Sequence, residues 1–530
     1  MNLLKYIGMG IFLLGLAIFT SIPFSGNVQL TSDELKTTLS EQEFANLNEP
    51  LTENLVGQTF NSTFTFSREF IGQFNEINED LKKQEAWDKV MWTEPEEIAL
   101  KLSQNASKST AVNNKTLFFF FTFGLGIIGA LLYIFATVSM QGKPGIKNDG
   151  IYHDSATNRG WIGILTGVWL VTFYVILYFH PYAFADAISI TDPVKQIFIK
   201  DAKASKWFLY GLLYTISMIV MGLRMIFKYR HNNYQIVRTI VVVLFQIIFA
   251  FLLVEILPMF GLPGKDLKNA WPLDYYFLFD WNVSKLIDAG HFGKFMFVWG
   301  IVLSVIIVPT LVYFYGKRWY CSWVCGCGGL AETLGDPYRQ LSNKKLWSWK
   351  MERWMIHAVL VFAVVMTLFT GYHTYNVFVN PDMDHKEILF GISAFDVRQW
   401  YGFLIGSMFA GVIGTGFYPI FGNRTWCRFG CPLAAYMGIV QRFKSRFRIT
   451  TNGGQCISCG NCSTYCEQGI DVRAYAQKGQ NIVRASCVGC GVCSAVCPRG
   501  VLKLENGPEE GRIKSDNPIV FGNDGFKLQD

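Results

Sequence analysis

Eight apolar stretches run through this 530-residue chain, at about 3–24, 117–138, 161–182, 206–227, 236–262, 294–316, 355–376 and 400–421. Each comes close to the ~20 residues that a helix needs to cross a bilayer. Any fold must accommodate them first. With 51% hydrophobic and only 16% charged residues, the composition agrees with a membrane protein.

The loops between the stretches fix an expected orientation. If the N-terminus starts in the cytoplasm and the chain crosses eight times, the basic residues fall inside. Lys143, Lys147 and Arg159 lie there, followed by Lys228, Arg230 and Arg238, then Lys317, Arg318, Lys344, Lys345, Lys350 and Arg353, and finally the run from Arg424 to Arg448. The net charge of +7 is accounted for by these loops, and nucleic acid is not implied. The first stretch reads as an anchor, the alternative being a signal peptide; no small-x-small cleavage site follows its apolar run. Residues 25–115 form an acidic extracytoplasmic domain without Cys or His, expected to end in a helix around Asn78 to Leu102.

All 13 cysteines lie beyond residue 320, in segments that this orientation places inside, so they read as ligands rather than disulfides. Eight sit in two runs, CISCGNCSTYCEQGI and CVGCGVCSAVCPRGV, each with the spacing C-x2-C-x2-C-x3-C. Three such cysteines wrap one face of a [4Fe-4S] cubane, and in two-cluster ferredoxins the fourth ligand comes from the other run. One cluster is therefore assigned to Cys456, Cys459, Cys462 and Cys497, and the other to Cys487, Cys490, Cys493 and Cys466. Gly460, Gly489 and Gly491 suit the tight turns, where positive φ is expected. Glu467 stands where proline usually follows the ligand. Zinc, which thiolate quartets also bind, is the rival reading.

A second pattern repeats at the ends of the sixth and eighth stretches: GKRWYCSWVCG from Gly316 and GNRTWCRFGCP from Gly422. Both read G-x-R-x-aromatic-C-x-aromatic-x-C, so Cys321, Cys325, Cys427 and Cys431 are expected to meet at the inner membrane surface. Pro432 is placed to start a helix with Cys431 as its N-cap. Arg318, Arg424 and Arg428 add positive charge. These surroundings suit a third metal centre, iron-sulfur or copper, or a reactive dithiol. Cys327 has no counterpart in the second copy and is either an extra ligand or a bystander.

The expected fold class is mainly α. It is a polytopic helical membrane protein of about eight spans, with a C-terminal two-cluster ferredoxin-like α+β domain and a small extracytoplasmic domain. The boundaries are an anchor at 1–24, the acidic domain at 25–115, membrane helices two to six at 116–316, and a cytoplasmic loop with the first Cys motif at 317–354. Membrane helices seven and eight follow at 355–422, a basic segment with the second Cys motif at 423–450, the ferredoxin domain at 451–505 and a tail at 506–530. Within the spans, Arg224 is placed to snorkel from an inner helix end. His180 and His373 fall toward outer ends, where histidines are usually hydrated, so haem is not expected.

The paired C-x3-C motifs after membrane spans, followed by a double-cubane tail, resemble the membrane polyferredoxin family of the NosR, NapH and CcoG type, over about residues 290–505. The resemblance implies an inner-membrane protein. It would pass electrons from a cytoplasmic donor or a quinol toward an extracytoplasmic reductase system, or act as a copper-binding and copper-reducing assembly factor for a respiratory metalloenzyme. Its partners would be membrane lipid and redox proteins on one or both sides. Two departures stand out: Gly326 replaces the proline after the first C-x3-C motif, and residues 25–115 carry no threonine-bearing flavin attachment signature.

Overall fold

The computed structural model describes all residues except 25, 87–88, 92, 146–153, 380–386, 390–391, 507–518, 523–524 and 529–530. Lys147 and much of the expected tail lie outside the described residues. Among those described, seven helices are long and apolar enough to cross a membrane: Asn2–Phe24, Lys115–Met140, Trp161–Phe179, Lys206–Lys228, Asn233–Phe260, Gly290–Tyr315 and Leu346–Val379. They coincide with the first seven expected spans. The seventh starts earlier than expected because a polar turn is held in place, with Ser348 and Glu352 buried on its inner side. The eighth stretch is also helical, but its middle is a twelve-residue π segment, Gly402–Ile413, between Ala394–Tyr401 and Gly414–Gly416. π-type winding is uncommon and concentrates at functional sites.

The chain divides into two compact units. The first comprises residues 1–140 and 172–216. Its small domain is a set of short helices, two of which, Ser32–Thr38 and Glu41–Asn54, open on capping boxes made by Thr31 with Glu34 and by Ser40 with Glu43. Leu47, Leu51, Phe66, Phe70, Phe74 and Leu102 form its core. In place of one helix over 78–102 there are two, Thr63–Lys83 and Pro95–Ala106. Glu85 adopts φ +57°, which stops the first, and Pro95 at the opening position begins the second. The Asn2–Ser21 helix packs against Leu125–Met140 across Gly8 and Gly129. A Cβ on Gly129 would sit 2.3 Å from the Phe12 nitrogen, so only glycine permits this backbone approach.

The second unit, residues 141–171 and 217–530, holds every cysteine. Its ferredoxin-like part pairs Arg448–Thr451 with Leu502–Glu505 in antiparallel register, from Arg448 opposite Glu505 to Thr451 opposite Leu502. The two short helices that carry a cysteine run, Asn461–Thr464 and Val492–Ala495, each follow a left-handed glycine: Gly460 at φ +82° and Gly491 at φ +75°. Gly489, at φ +63°, completes the three expected positive-φ turns.

One segment departs from a simple bundle. Gln235, at the start of the Asn233–Phe260 span, bonds the Cys490 carbonyl, so that end faces the cysteines and Phe260 lies at the opposite end. From there residues 262–279 turn back between the helices. Trp271 donates its backbone N–H to Ser304 Oγ and its Nε1–H to Thr367 Oγ1, both at 2.9 Å. Ser304 is mid-span, roughly 16 Å from the cysteine end at 1.5 Å per residue. Irregular backbone at such depth is tolerated only when buried in protein, and here side chains from the spans satisfy it.

Candidate metal centres

The two tail runs fold so that their cysteines cross over. Cys456, Cys459, Cys462 and Cys497 line one small cavity, together with Gly460 and Pro498. Burial pushes the Cys462 thiol up to about 12, and the next contributions come from the Ser463 N–H, which lowers it, and from Cys497, Cys459 and Cys456, which raise it. The second group is more deeply buried. Burial raises Cys493 well above the usual thiol range, and the thiols that add to it are led by Cys490, Cys466 and Cys487. The fourth cysteine of each run thus stands with the first three of the other. Cys459 is exposed, whereas Cys487 and Cys493 are buried.

The second run sits on the membrane part. Tyr234 donates to the Gly489 carbonyl at 2.9 Å, Ser322 to the Val488 carbonyl at 2.8 Å, and Gln441 to the Cys487 and Arg484 carbonyls at 2.8 Å each. Ser322 lies between Cys321 and Cys325, so its hydrogen bond joins the two cysteine systems.

Cys321, Cys325, Cys427 and Cys431 converge on a second cavity, which Cys327 also lines with Leu273, Tyr320 and Trp426. The repeat explains the convergence. Gly316, at φ +66°, ends the Val308–Tyr315 helix, and Gly422, at φ +95°, ends Tyr418–Phe421. Each second cysteine is then an N-cap: Cys431 for Pro432–Lys444, accepting from the Ala434 N–H at 3.4 Å, and Cys325 for Gly326–Thr333. Gly326 therefore replaces proline without loss of the helix start. The thiols are unequal. The neighbouring Cys327 thiol, helped by the Gly328 N–H, holds Cys325 down to about 6 against burial, while burial pushes Cys321 up to about 12.

The expected positive surroundings are largely neutralised by carboxylates that the sequence reading passed over. Arg428 Nε binds Glu352 at 2.7 Å, and Arg318 stacks on Tyr234 and Phe447. Arg424 is fully buried, with Nε 3.0 Å from Glu467 Oε1 and Nη2 paired to Glu332, and its Nη1 lies 3.6 Å from the Cys427 sulfur. Glu467 also meets Arg339 at 2.8 Å, Arg339 meets Asp336 at 2.7 Å, and Asp336 takes Arg224 at 2.6 Å and Lys228 at 2.9 Å. Glu332 pairs in addition with Arg238. Arg224 is thus anchored in a buried ion network instead of snorkelling. Burial pushes the Glu467 carboxyl up, but Arg424, Arg339 and Arg238 together outweigh it and keep the group below the usual carboxylate range.

His373 is buried 4.0 Å from Asp280, and His180 bonds the Tyr182 hydroxyl at 3.0 Å.

The donor sets can be tested against the groups they would hold. Among the described residues, no three Cys, His, Asp or Glu side chains stand close enough to share one metal ion. Four thiols around one cavity are the donor set that a cubane uses, in which each sulfur binds its own iron. The 4Fe-4S dicluster domain family matches residues 448–498, and the 4Fe-4S binding domain family matches twice, at 295–346 and 402–450, once over each copy of the C-x3-C repeat. The chain thus carries 4Fe-4S domains and is similar to membrane-associated polyferredoxins of the NosR/NapH type.

The chain is 25% identical over 179 residues to YccM of Escherichia coli (strain K12), which carries the name of a putative electron transport protein; the match covers 32% of this chain and 46% of YccM. It is 27% identical over 168 residues to the methylamine utilization ferredoxin-type protein MauN of Methylobacillus flagellatus, covering 32% and 54%. With the regulatory protein NosR of Stutzerimonas stutzeri it shares 23% over 224 residues, covering 39% and 28%. The chain thus spans about half the length, or less, of these three relatives. No solved structure matches it.

Proposed function

We propose that this chain is a membrane-bound electron-transfer protein with two [4Fe-4S] clusters and a third iron-sulfur centre in series. Cys456, Cys459, Cys462 and Cys497 hold the first cluster, Cys487, Cys490, Cys493 and Cys466 the second, and Cys321, Cys325, Cys427 and Cys431 the third centre, with Cys327 beside it. When bound, such clusters supply one-electron carriers whose potentials respond to charge, hydrogen bonding and exposure. The order follows from burial and contact: Cys459 opens the first cradle to a donor in solution, the second cradle is buried, and Ser322 joins the second to the edge cysteines. That line of contact carries the reading.

The cysteine end is taken as cytoplasmic, because Arg159, Lys228, Lys317 and Lys344 gather there. The donor is a cytoplasmic protein or a quinol, and the acceptor an extracytoplasmic reductase system. The names of YccM and MauN support the electron-transfer class, and the match of the 4Fe-4S binding domain family over both C-x3-C copies favours iron over copper at the edge.

Metal analysis and EPR of protein purified without oxygen test this directly. About twelve irons per chain are expected, falling to about eight in a Cys427→Ser, Cys431→Ser variant that keeps both tail signals. Copper lost in that variant would favour the assembly-factor reading, and zinc in place of iron would end the electron-transfer one.

A further inference from the structure

The segment that turns back into the bundle carries ionisable groups to a depth where charge is costly. Lys265, Asp266, Lys268 and Asp274 all lie within it. Asp266 and Lys268 pair closely at 2.6 Å. Asp274 does not: it is 1% exposed, its Oδ2 stands 3.5 Å from Lys265 Nζ, and its Oδ1 has no hydrogen-bond partner. Lys265 Nζ likewise makes no hydrogen bond and lies 4.9 Å from the centre of the Phe277 ring. A buried carboxylate oxygen without a donor loses its hydration with nothing to replace it. Ionisable groups inside a membrane mark functional sites.

The surroundings tie this pair to the edge cysteines. Leu273, next to Asp274, lines their cavity, and Tyr320, next to Cys321, donates to the Lys268 carbonyl at 2.9 Å. The other titratable groups facing Asp274 are Asp266 and the phenols Tyr275, Tyr276 and Tyr401, all uncharged apart from Asp266, whose charge Lys268 balances. An electron arriving at the edge cysteines adds a negative charge in a low-dielectric interior, where it is strongly disfavoured unless a positive charge appears nearby.

We propose that Asp274 is the proton acceptor that compensates reduction at the edge cysteines. The inference rests on the edge centre proposed above. One electron reaches the edge from the tail; one proton, released from bulk water as an O–H bond of hydronium breaks, forms the new O–H bond at Asp274 Oδ1. Protonated Asp274 no longer neutralises Lys265, whose positive charge is then left uncompensated. Net charge in the interior is unchanged.

The test uses the full-length protein, loaded with iron and held in nanodiscs, with dithionite as reductant. Reduced-minus-oxidised infrared difference spectra should gain a protonated-carboxyl band that shifts in heavy water. The band should disappear in Asp274→Asn, persist in Asp266→Asn and move in Asp274→Glu. The potential of the edge EPR signal should fall with rising pH in the native protein and become flat in Asp274→Asn. A native protein whose edge signal reduces without the band, or a band that survives in Asp274→Asn, overturns the proposal. Should Asp274→Asn fail to fold, an unshifted band in Asp274→Glu overturns it equally. Absence of any edge EPR signal while both tail clusters reduce would instead remove the third centre on which the proposal stands.

Discussion

Glu467 shows how one residue can change the meaning of a motif. A proline after the fourth cysteine would only stiffen a turn, whereas the glutamate reaches Arg424 and Arg339 and so locks the loop after Cys466 onto the second C-x3-C copy. Removing one partner of a buried ion pair leaves an uncompensated charge and typically costs about 3–5 kcal/mol. Glu467→Pro, which restores the usual ferredoxin pattern, is therefore expected to destabilise the protein by about that amount. A lowered midpoint of thermal unfolding in detergent would register it, and an unchanged midpoint would show that the network contributes nothing net. The sequence displayed the departure at Glu467 but not its partners. Glu332, Arg339 and Asp336 lie more than a hundred residues away in sequence and carry no local signature.

At the scale of elements, the crossing of the cysteine runs has a separable consequence. Cys497→Ser should impair the cluster of the first run and leave the second, although Cys497 belongs to the second run by sequence; Cys466→Ser should do the reverse. EPR resolves the two clusters once their signals are assigned by Cys456→Ser and Cys487→Ser, and a loss that follows sequence instead of space would refute the pairing. This much was legible from C-x2-C-x2-C-x3-C, because cluster chemistry dictates the spacing. The repeated G-x-R-x-aromatic-C-x-aromatic-x-C was equally informative, since its glycine, arginine and second cysteine each fill a defined place: a positive φ, an ion pair or ring stack, and a helix cap. Spans were legible from hydropathy alone. The segment 262–279 was not, because a loop of mixed Lys, Asp, Trp and Tyr reads as aqueous; its depth is decided by Ser304 and Thr367 on other helices. The expected helix over 78–102 failed for a local reason, the break before Pro95.

Across the whole cysteine-bearing unit, Asp336 is the point where a span, the loop after the first C-x3-C copy and, through Arg339, the tail are joined. Burial alone would raise its carboxyl, but Lys228, Arg224 and Arg339 together pull it far below the usual value near 3.9. A depressed folded-state value means that the stabilisation is fully present above about pH 4 and is lost only as the pH falls below it. Native protein should therefore keep this contribution under mild acid. Asp336→Asn should be less stable by about 3–5 kcal/mol at neutral pH, with the difference narrowing in strong acid. Denaturation midpoints measured against pH would detect a difference that instead stays constant.

The exposure of Cys459 has a consequence for handling. The cradle whose Cys459 is open to solvent also admits oxygen and peroxide, while Cys487 and Cys493 of the second cradle and Cys321, Cys325, Cys427 and Cys431 at the edge are buried. Damage in air should begin at that outer cradle, so a sample left unprotected would pass through a state that is still metallated deep inside yet no longer accepts electrons from outside.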